Sequence, residues 1–211
     1  MKKWLSLIIV CFFTNISHAS ENKAIDQFKT YLREVKSVVI DFTQEDSSGN
    51  KASGKLLINK PYRFRCNYYA PYPLLIIGSQ NYVSVYDYDM KDTIRIKPSE
   101  NIFNFLLEER VDFDRYFDFE EAIDEGNIFK ITIYHTLSER RSRITFDKNS
   151  KQIKMIEILE DDNTITLTFT QFTNVAKFDN DLFILKNPEI FGPPIRLTKE
   201  EIMKKYLATL R

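Results

Sequence analysis

The chain has 211 residues, with 30 Lys and Arg balanced by 30 Asp and Glu. Residues 1–19 read as a leader; setting aside its Lys2 and Lys3 leaves 28 basic residues against 30 acidic, a slight negative balance that argues against nucleic acid or anionic lipid as the main partner. Without the leader, Cys66 is the only cysteine and His135 the only histidine, which excludes an internal disulfide and any site built on paired Cys or His ligands.

The leader has the three parts of a secretory signal: Lys2 and Lys3, an apolar run from Trp4 to Phe13, and Ser17-His18-Ala19 as a small-x-small cleavage site. No other segment approaches ~18 consecutive apolar residues, so residues 20–211 are expected to form one exported domain. The 17 Phe and 11 Tyr against 5 Gly supply more aromatic surface than a core of that size needs, and some of it is expected to line a cavity.

In chain order, Ile25, Phe28, Leu32 and Val35 fall at helical spacing and predict an amphipathic helix over Glu21 to Lys36. Val38, Ile40 and Phe42 then alternate with Val39, Asp41 and Thr43, and Asp46-Ser47-Ser48-Gly49-Asn50 is turn chemistry before a second strand. From Gly54 to Pro71 the pattern is two strands hinged at Lys60-Pro61, with Phe64, Cys66 and Tyr68 on one face and Arg63, Arg65 and Asn67 on the other. That second face is expected to be solvated. Leu74 to Ile77, Tyr82 to Tyr88 and Thr93 to Lys97 continue the strands.

A mid-chain insertion follows. Ser99 is placed to cap a short helix carrying Ile102, Phe103, Leu106 and Leu107, and Asp112 to Glu125 is expected to form another helix ending at Gly126. Alternation resumes over Ile128 to His135, Ser142 to Phe146, Ile153 to Leu159 and Thr164 to Gln171, and Phe183 to Leu185 is expected to add a strand. Thr198 and Glu201 have the spacing of a capping box before a last helix. Together these elements predict a mainly β fold with α: an incomplete, half-open antiparallel barrel of about ten to eleven strands under a helical lid.

Between Val38 and Asp87 the motifs Phe42-Thr43-Gln44, Gly54 with Leu56 and Ile58, Pro61, Phe64-Arg65, Tyr68, Pro71, and Leu75-Ile76-Ile77 before Val85-Tyr86-Asp87 fall in an order that resembles the outer-membrane lipoprotein carrier (LolA) family. The resemblance implies a periplasmic chaperone, acting as a monomer without cofactor or catalysis. Such a protein carries the acyl chains of outer-membrane lipoproteins from an inner-membrane ABC transporter to an outer-membrane receptor. It also implies an acyl-chain cavity lined by Phe42, Leu56, Ile58, Phe64, Cys66, Tyr68, Ile76 and Val85, a lid carrying Ile102, Phe103, Leu106 and Leu107, and Lys60 at the position of a lid latch. Lys60 stands where the family usually has Arg, Cys66 replaces a usual Trp, and Ser84 replaces a common aromatic, which marks a divergent member. The alternative is a lipid-binding or lipoprotein-sensing domain of the same architecture.

The other candidate chemistries are weaker. His135 has Ser138 and Glu139 nearby without a Gly-x-Ser-x-Gly elbow. The acidic-aromatic run Asp112 to Asp118 lacks calcium-loop spacing and reads as a solvated amphipathic segment. Cys66 reads as a small buried hydrophobe rather than a nucleophile.

Overall fold

In the computed structural model, which describes residues 15–98, 106–108, 112–136, 138–201 and 204, helix α1 (Asn15–Glu34) is followed by a six-strand meander, β1 (Ser37–Asp46), β2 (Lys51–Asn59), β3 (Arg63–Tyr68), β4 (Leu74–Gly78), β5 (Val83–Asp87) and β6 (Asp92–Ile96). After a short helix α2 (Phe113–Tyr116), a second meander runs through β7 (Phe117–Glu125), β8 (Ile128–His135), β9 (Arg140–Asp147), β10 (Gln152–Leu159) and β11 (Thr164–Asn174). The two are joined at their first and last strands. Every neighbouring pair is antiparallel and the sheet order is β6-β5-β4-β3-β2-β1-β11-β10-β9-β8-β7. Strands β6 and β7 are therefore opposite open edges, and the barrel is incomplete.

Eleven strands laid flat would span about 48 Å at ordinary strand spacing, whereas one helix with its side chains is about 10–12 Å across. Yet one apolar cluster contains residues of α1 and of all eleven strands, from Ile96 on β6 to Phe117 on β7. The sheet must curl around the helix. Register irregularities at Asp41/Phe42, Phe119/Glu121 and Ile153/Met155 are the bulges at which strands bend and twist more sharply. The connection between the meanders joins β6 to β7, the two edge strands. Its described residues Leu106 and Leu107 are buried in the inner cluster. The Ser99 cap, Ile102 and Phe103 lie outside the described residues.

Three expectations are corrected. The helix expected over Asp112 to Glu125 is confined to the four residues of α2, because Phe117 and Phe119 alternate with Asp118 and Glu120 and set a period of two that buries the rings against α1 and β8. The strand expected at Phe183 to Leu185 is instead preceded by a 3₁₀ turn at Asn180–Phe183, where the Asp179 carboxylate accepts from the Asp181 N–H and local capping outcompetes extension. The capping box is present: Thr198 N–H donates to Glu201 Oε2 at 2.8 Å, and Glu201 N–H to Thr198 Oγ1 at 3.2 Å.

The third correction concerns the convex face. Phe64, Cys66 and Tyr68 do point inward, but Arg65 and Asn67 are only 8% and 5% exposed where solvation was expected. The segment after β11 covers them. Val175, Phe178, Leu182 and Phe183 pack on Val39 and Leu57 in a second small core. Arg65 donates through Nη1 to the Leu182 carbonyl at 3.1 Å and through Nε to Asn67 Oδ1 at 2.9 Å, while Arg63 Nη1 reaches Asn180 Oδ1 at 2.5 Å. A Lys55–Asp41 ion pair of 2.7 Å lies on the same face.

Candidate functional site

Helix α1 enters the concave side because its apolar residues recur at four-residue intervals. Ala24, Phe28 and Leu32 are buried, with Ile25, Tyr31 and Val35 half-buried beside them. The Phe28 and Tyr31 rings meet Phe146 of β9 edge-on at centroid distances of 6.3 and 5.4 Å, and the Tyr31 hydroxyl is held neutral, its pKa pushed up to about 12 by burial. The helix fills the centre of the half-barrel.

On the facing wall, two aromatic rings lie over glycines. Phe42 pairs with Gly54 and Phe64 with Gly78 across neighbouring strands, and a Cβ built on Gly78 would come within 1.8 Å of the Phe64 ring. The absence of a side chain there lets each ring lie against the sheet. Phe42 also meets Tyr68 edge-on at 5.3 Å, and the Tyr68 hydroxyl donates to Gln44 Oε1 at 2.8 Å. Burial pushes the Cys66 thiol pKa up, away from the range of a reactive thiolate.

Of the residues that the resemblance assigned to a cavity, Phe42, Ile58, Phe64 and Cys66 are buried in the inner cluster, with Leu56, Tyr68 and Ile76 half-buried against it. Val85, half-buried on β5, pairs with Ile76 but is not among the residues packed into the cluster. Leu56, Ile58, Lys60 and Leu106 line the space that remains, together with Tyr31, Leu32, Val35, Ile40, Ile153, Phe169 and Phe172. That space is about 20 Å³, enough for roughly one water.

The members from α1, β10 and β11 were not singled out in the sequence. The stripe at Ile25, Phe28, Leu32 and Val35 and the alternation ending in Phe169 were the signals that could have found them. A larger depression of about 670 Å³ lies at the far ends of β1, β2 and β11. Its lining mixes polar residues such as Thr43, Glu45, Ser53, Thr166 and Thr168 with Ala52, Ala70, Pro71 and Tyr72.

Lys60 sits at the seam between α1, the β2–β3 turn and the lid. Its ammonium donates to the Leu32 carbonyl, one of the last-turn carbonyls of α1 that has no partner within the helix, so a cation meets the negative end of the helix dipole. Burial above all, with a further contribution from Lys36 and against the opposing charge of Glu108, lowers the Lys60 pKa to about 8. Two residues on, Tyr62 takes a left-handed φ of 61° and donates its N–H to the Leu107 carbonyl at 2.8 Å. Helix, turn and lid are thus tied at one corner.

His135 is buried against Phe117. The Ser138 N–H donates to its Nδ1 at 3.2 Å and the Ser138 Oγ lies 2.8 Å from the same atom. With Nδ1 accepting, the ring proton belongs on Nε2, and burial depresses the histidine pKa. Among the described residues no group of three His, Cys, Asp or Glu side chains could hold a metal.

The family model for "Outer membrane lipoprotein carrier protein LolA" matches residues 33–186. An uncharacterized protein of Rickettsia prowazekii (strain Madrid E) is 60% identical over 211 residues, 99% of each chain. An outer-membrane lipoprotein carrier protein of Francisella philomiragia subsp. philomiragia is 26% identical over 213 residues, 90% of this chain and 95% of that protein. Among solved structures, a LolA superfamily protein from Nitrosomonas europaea aligns with a TM-score of 0.48 at 6% identity, covering 78% of this chain and 97% of that one.

Proposed function

Because the chain belongs to the outer-membrane lipoprotein carrier (LolA) family, we propose that it is a periplasmic chaperone that shields the acyl chains of lipoproteins on the concave side of its half-barrel and delivers them between membranes. The observation that carries the reading is α1 itself: an amphipathic helix that lays its apolar face in an open, aromatic-lined trough and whose C-terminal end is held by Lys60.

An acyl chain of ~14 carbons costs on the order of 10 kcal/mol to leave in water at about 0.8 kcal/mol per methylene. Ligand pockets of useful size occupy about 300–1,000 Å³, so the remaining 20 Å³ corresponds to an unloaded, closed protein. Loading therefore means that the acyl chain takes the place of α1 and lid side chains such as Phe28, Leu32 and Leu106 against the same sheet. One apolar contact is exchanged for another, which keeps both states within reach of each other. The Lys60 ammonium, buried when closed, regains water when the seam opens. That difference favours opening and offsets part of the apolar contact that α1 gives up.

In this reading Phe42, Phe64, Cys66, Tyr68 and Ile76 form the acyl-contacting wall, Leu106 and Leu107 belong to the lid, and Lys60 is the latch. An inner-membrane transporter and an outer-membrane receptor are the expected partners. The test is to purify the processed protein from a periplasm that contains acylated lipoprotein. A one-to-one soluble complex that Phe64→Glu abolishes is the expected result; free phospholipid alone, or no complex, would overturn it.

A further inference from the structure

Outside the trough, the segment that follows the convex-face core presents Ile184, Ile190, Phe191 and Ile195 at 56%, 72%, 67% and 78% exposure. These are four of the exposed large hydrophobic residues of the protein, gathered within twelve positions. The segment is anchored at both ends. Leu185 packs on Leu75, Ile77 and Tyr86 of the convex face. Asn187 caps the short helix α3 (Pro188–Phe191) through its side chain, accepting from Glu189 N–H at 3.0 Å. Beyond Gly192-Pro193-Pro194, the Arg196 guanidinium stacks 5.2 Å from the Tyr88 ring and donates to the Tyr72 carbonyl, while the Tyr88 hydroxyl donates to the Ile195 carbonyl at 3.4 Å. The side chains between these anchors are held away from the sheet by a fixed backbone.

We propose that this segment, Ile184 to Ile195, is a membrane-contact finger that inserts Ile190, Phe191 and Ile195 into the interface of an anionic lipid bilayer. The chemistry on the page favours a lipid surface over a protein groove. The tip combines branched aliphatics, one aromatic and two prolines, the composition that partitions to the boundary between headgroups and acyl chains. The cations stand beside it: Lys186 Nζ lies 5.8 Å from the Phe191 ring centroid and Arg196 flanks the other end, against Glu189 as the one acid between Ile184 and Arg196. The long Lys186 side chain can keep its head at the phosphate level while the apolar tips enter, whereas the Arg196 guanidinium, engaged with Tyr72 and Tyr88, adds its charge from the anchor.

The overall charge of the chain is slightly acidic once the leader is set aside, so attraction to anionic lipid has to be local, and apolar insertion supplies the larger share. The site is remote from the cavity and does not depend on acyl carriage, although a carrier that collects cargo at one membrane and releases it at another has evident use for such a contact.

The test uses processed protein without cargo and vesicles of phosphatidylethanolamine and phosphatidylglycerol in a 3:1 ratio. Trp4 is the only tryptophan in the sequence and lies in the leader, so Phe191→Trp gives the processed chain a single tryptophan, at the tip, that can be excited selectively over tyrosine, with Ile123→Trp on the far edge strand β7 as the control. The expected result is a blue shift of emission on vesicle addition for Phe191→Trp alone, and flotation with the vesicles that Ile190→Asp/Phe191→Asp weakens about tenfold or more. All these positions are exposed, so the folded state is expected to survive the changes, checked by thermal melting. No blue shift, an equal shift at both positions, or flotation that the double aspartate variant leaves unchanged would overturn the proposal. Because no cargo is present, its failure would leave the acyl-carrier reading untouched, and the converse holds for the Phe64→Glu test.

Discussion

Lys60 carries its charge into a seam where burial opposes it, and the linkage sign follows from that. Its pKa falls from the ordinary 10.5 to about 8 in the folded protein. Below pH 8 both folded and unfolded chains hold the proton, and the penalty is fully present. Between pH 8 and about 10.5 the unfolded chain holds more protons, so the contribution of this group to stability rises with pH, by on the order of 3 kcal/mol across the window. Urea unfolding between pH 7.5 and 10 is expected to show the stability of the wild type rising relative to that of Lys60→Met. The comparison removes the opposite contributions of Cys66, Tyr31 and Tyr68, whose pKa values are raised by burial and which make stability fall in both proteins as pH climbs. A parallel pair of lines would contradict the burial. At Gly54 and Gly78 the argument is steric: a methyl group would meet the Asn67 carbonyl at 2.3 Å in one case and the Phe64 ring at 1.8 Å in the other. Either alanine is expected to cost about 1–3 kcal/mol, measured by denaturant midpoint, with Gly54→Ala the worse because a backbone carbonyl cannot swing aside as a ring can.

At the scale of elements, α1 is part of the core and, in the proposed function, also the gate, and the two roles separate experimentally. Leu32→Ala is expected to lower stability by about 2–5 kcal/mol, as any buried leucine would. If α1 has to leave the trough for an acyl chain to enter, the same change is also expected to tighten binding of a fluorescent fatty-acyl probe, since the closed state loses contacts that the loaded state never had. Phe129→Ala, in the β8 wall, is expected to destabilise comparably without that gain; equal effects on probe binding would show that α1 is ordinary core. The helix was legible from Ile25, Phe28, Leu32 and Val35, and the inner wall of β3 from Phe64, Cys66 and Tyr68, because each follows the period of its own element. The burial of Arg65 and Asn67 was not legible. Their covering segment lies more than a hundred residues away, and nothing in the local alternation announces a tertiary contact of that range. The strand β7 was missed for a different reason: Asp112 to Glu125 is acidic and turn-bounded at Gly126, and the alternation begins only after one helical turn.

The whole molecule is a sheet with two cores, and they differ in what holds them. On the concave side a helix meets apolar walls, with Lys60 and Tyr62 bonding the Leu32 and Leu107 carbonyls at one corner. On the convex side Arg63, Arg65 and Arg196 fasten the segment after β11 by directed bonds to Asn180, Leu182 and Tyr72, over a filled apolar layer. Of these the Arg65–Leu182 bond is buried, and a charged donor bonded to a buried carbonyl is costly to separate from it. If the concave face exchanges partners on loading as proposed, the sheet is expected to keep its curvature because the convex core is held in this way. Hydrogen exchange of cargo-free and acyl-loaded protein tests this division directly. Loading is expected to reduce protection at the amides of α1 that lie toward its Leu32 end, while the amides of Val175 to Leu185 keep theirs. A loss of protection on both faces together would mean that the sheet opens as a unit, and a helical gate over a fixed wall would no longer describe the molecule.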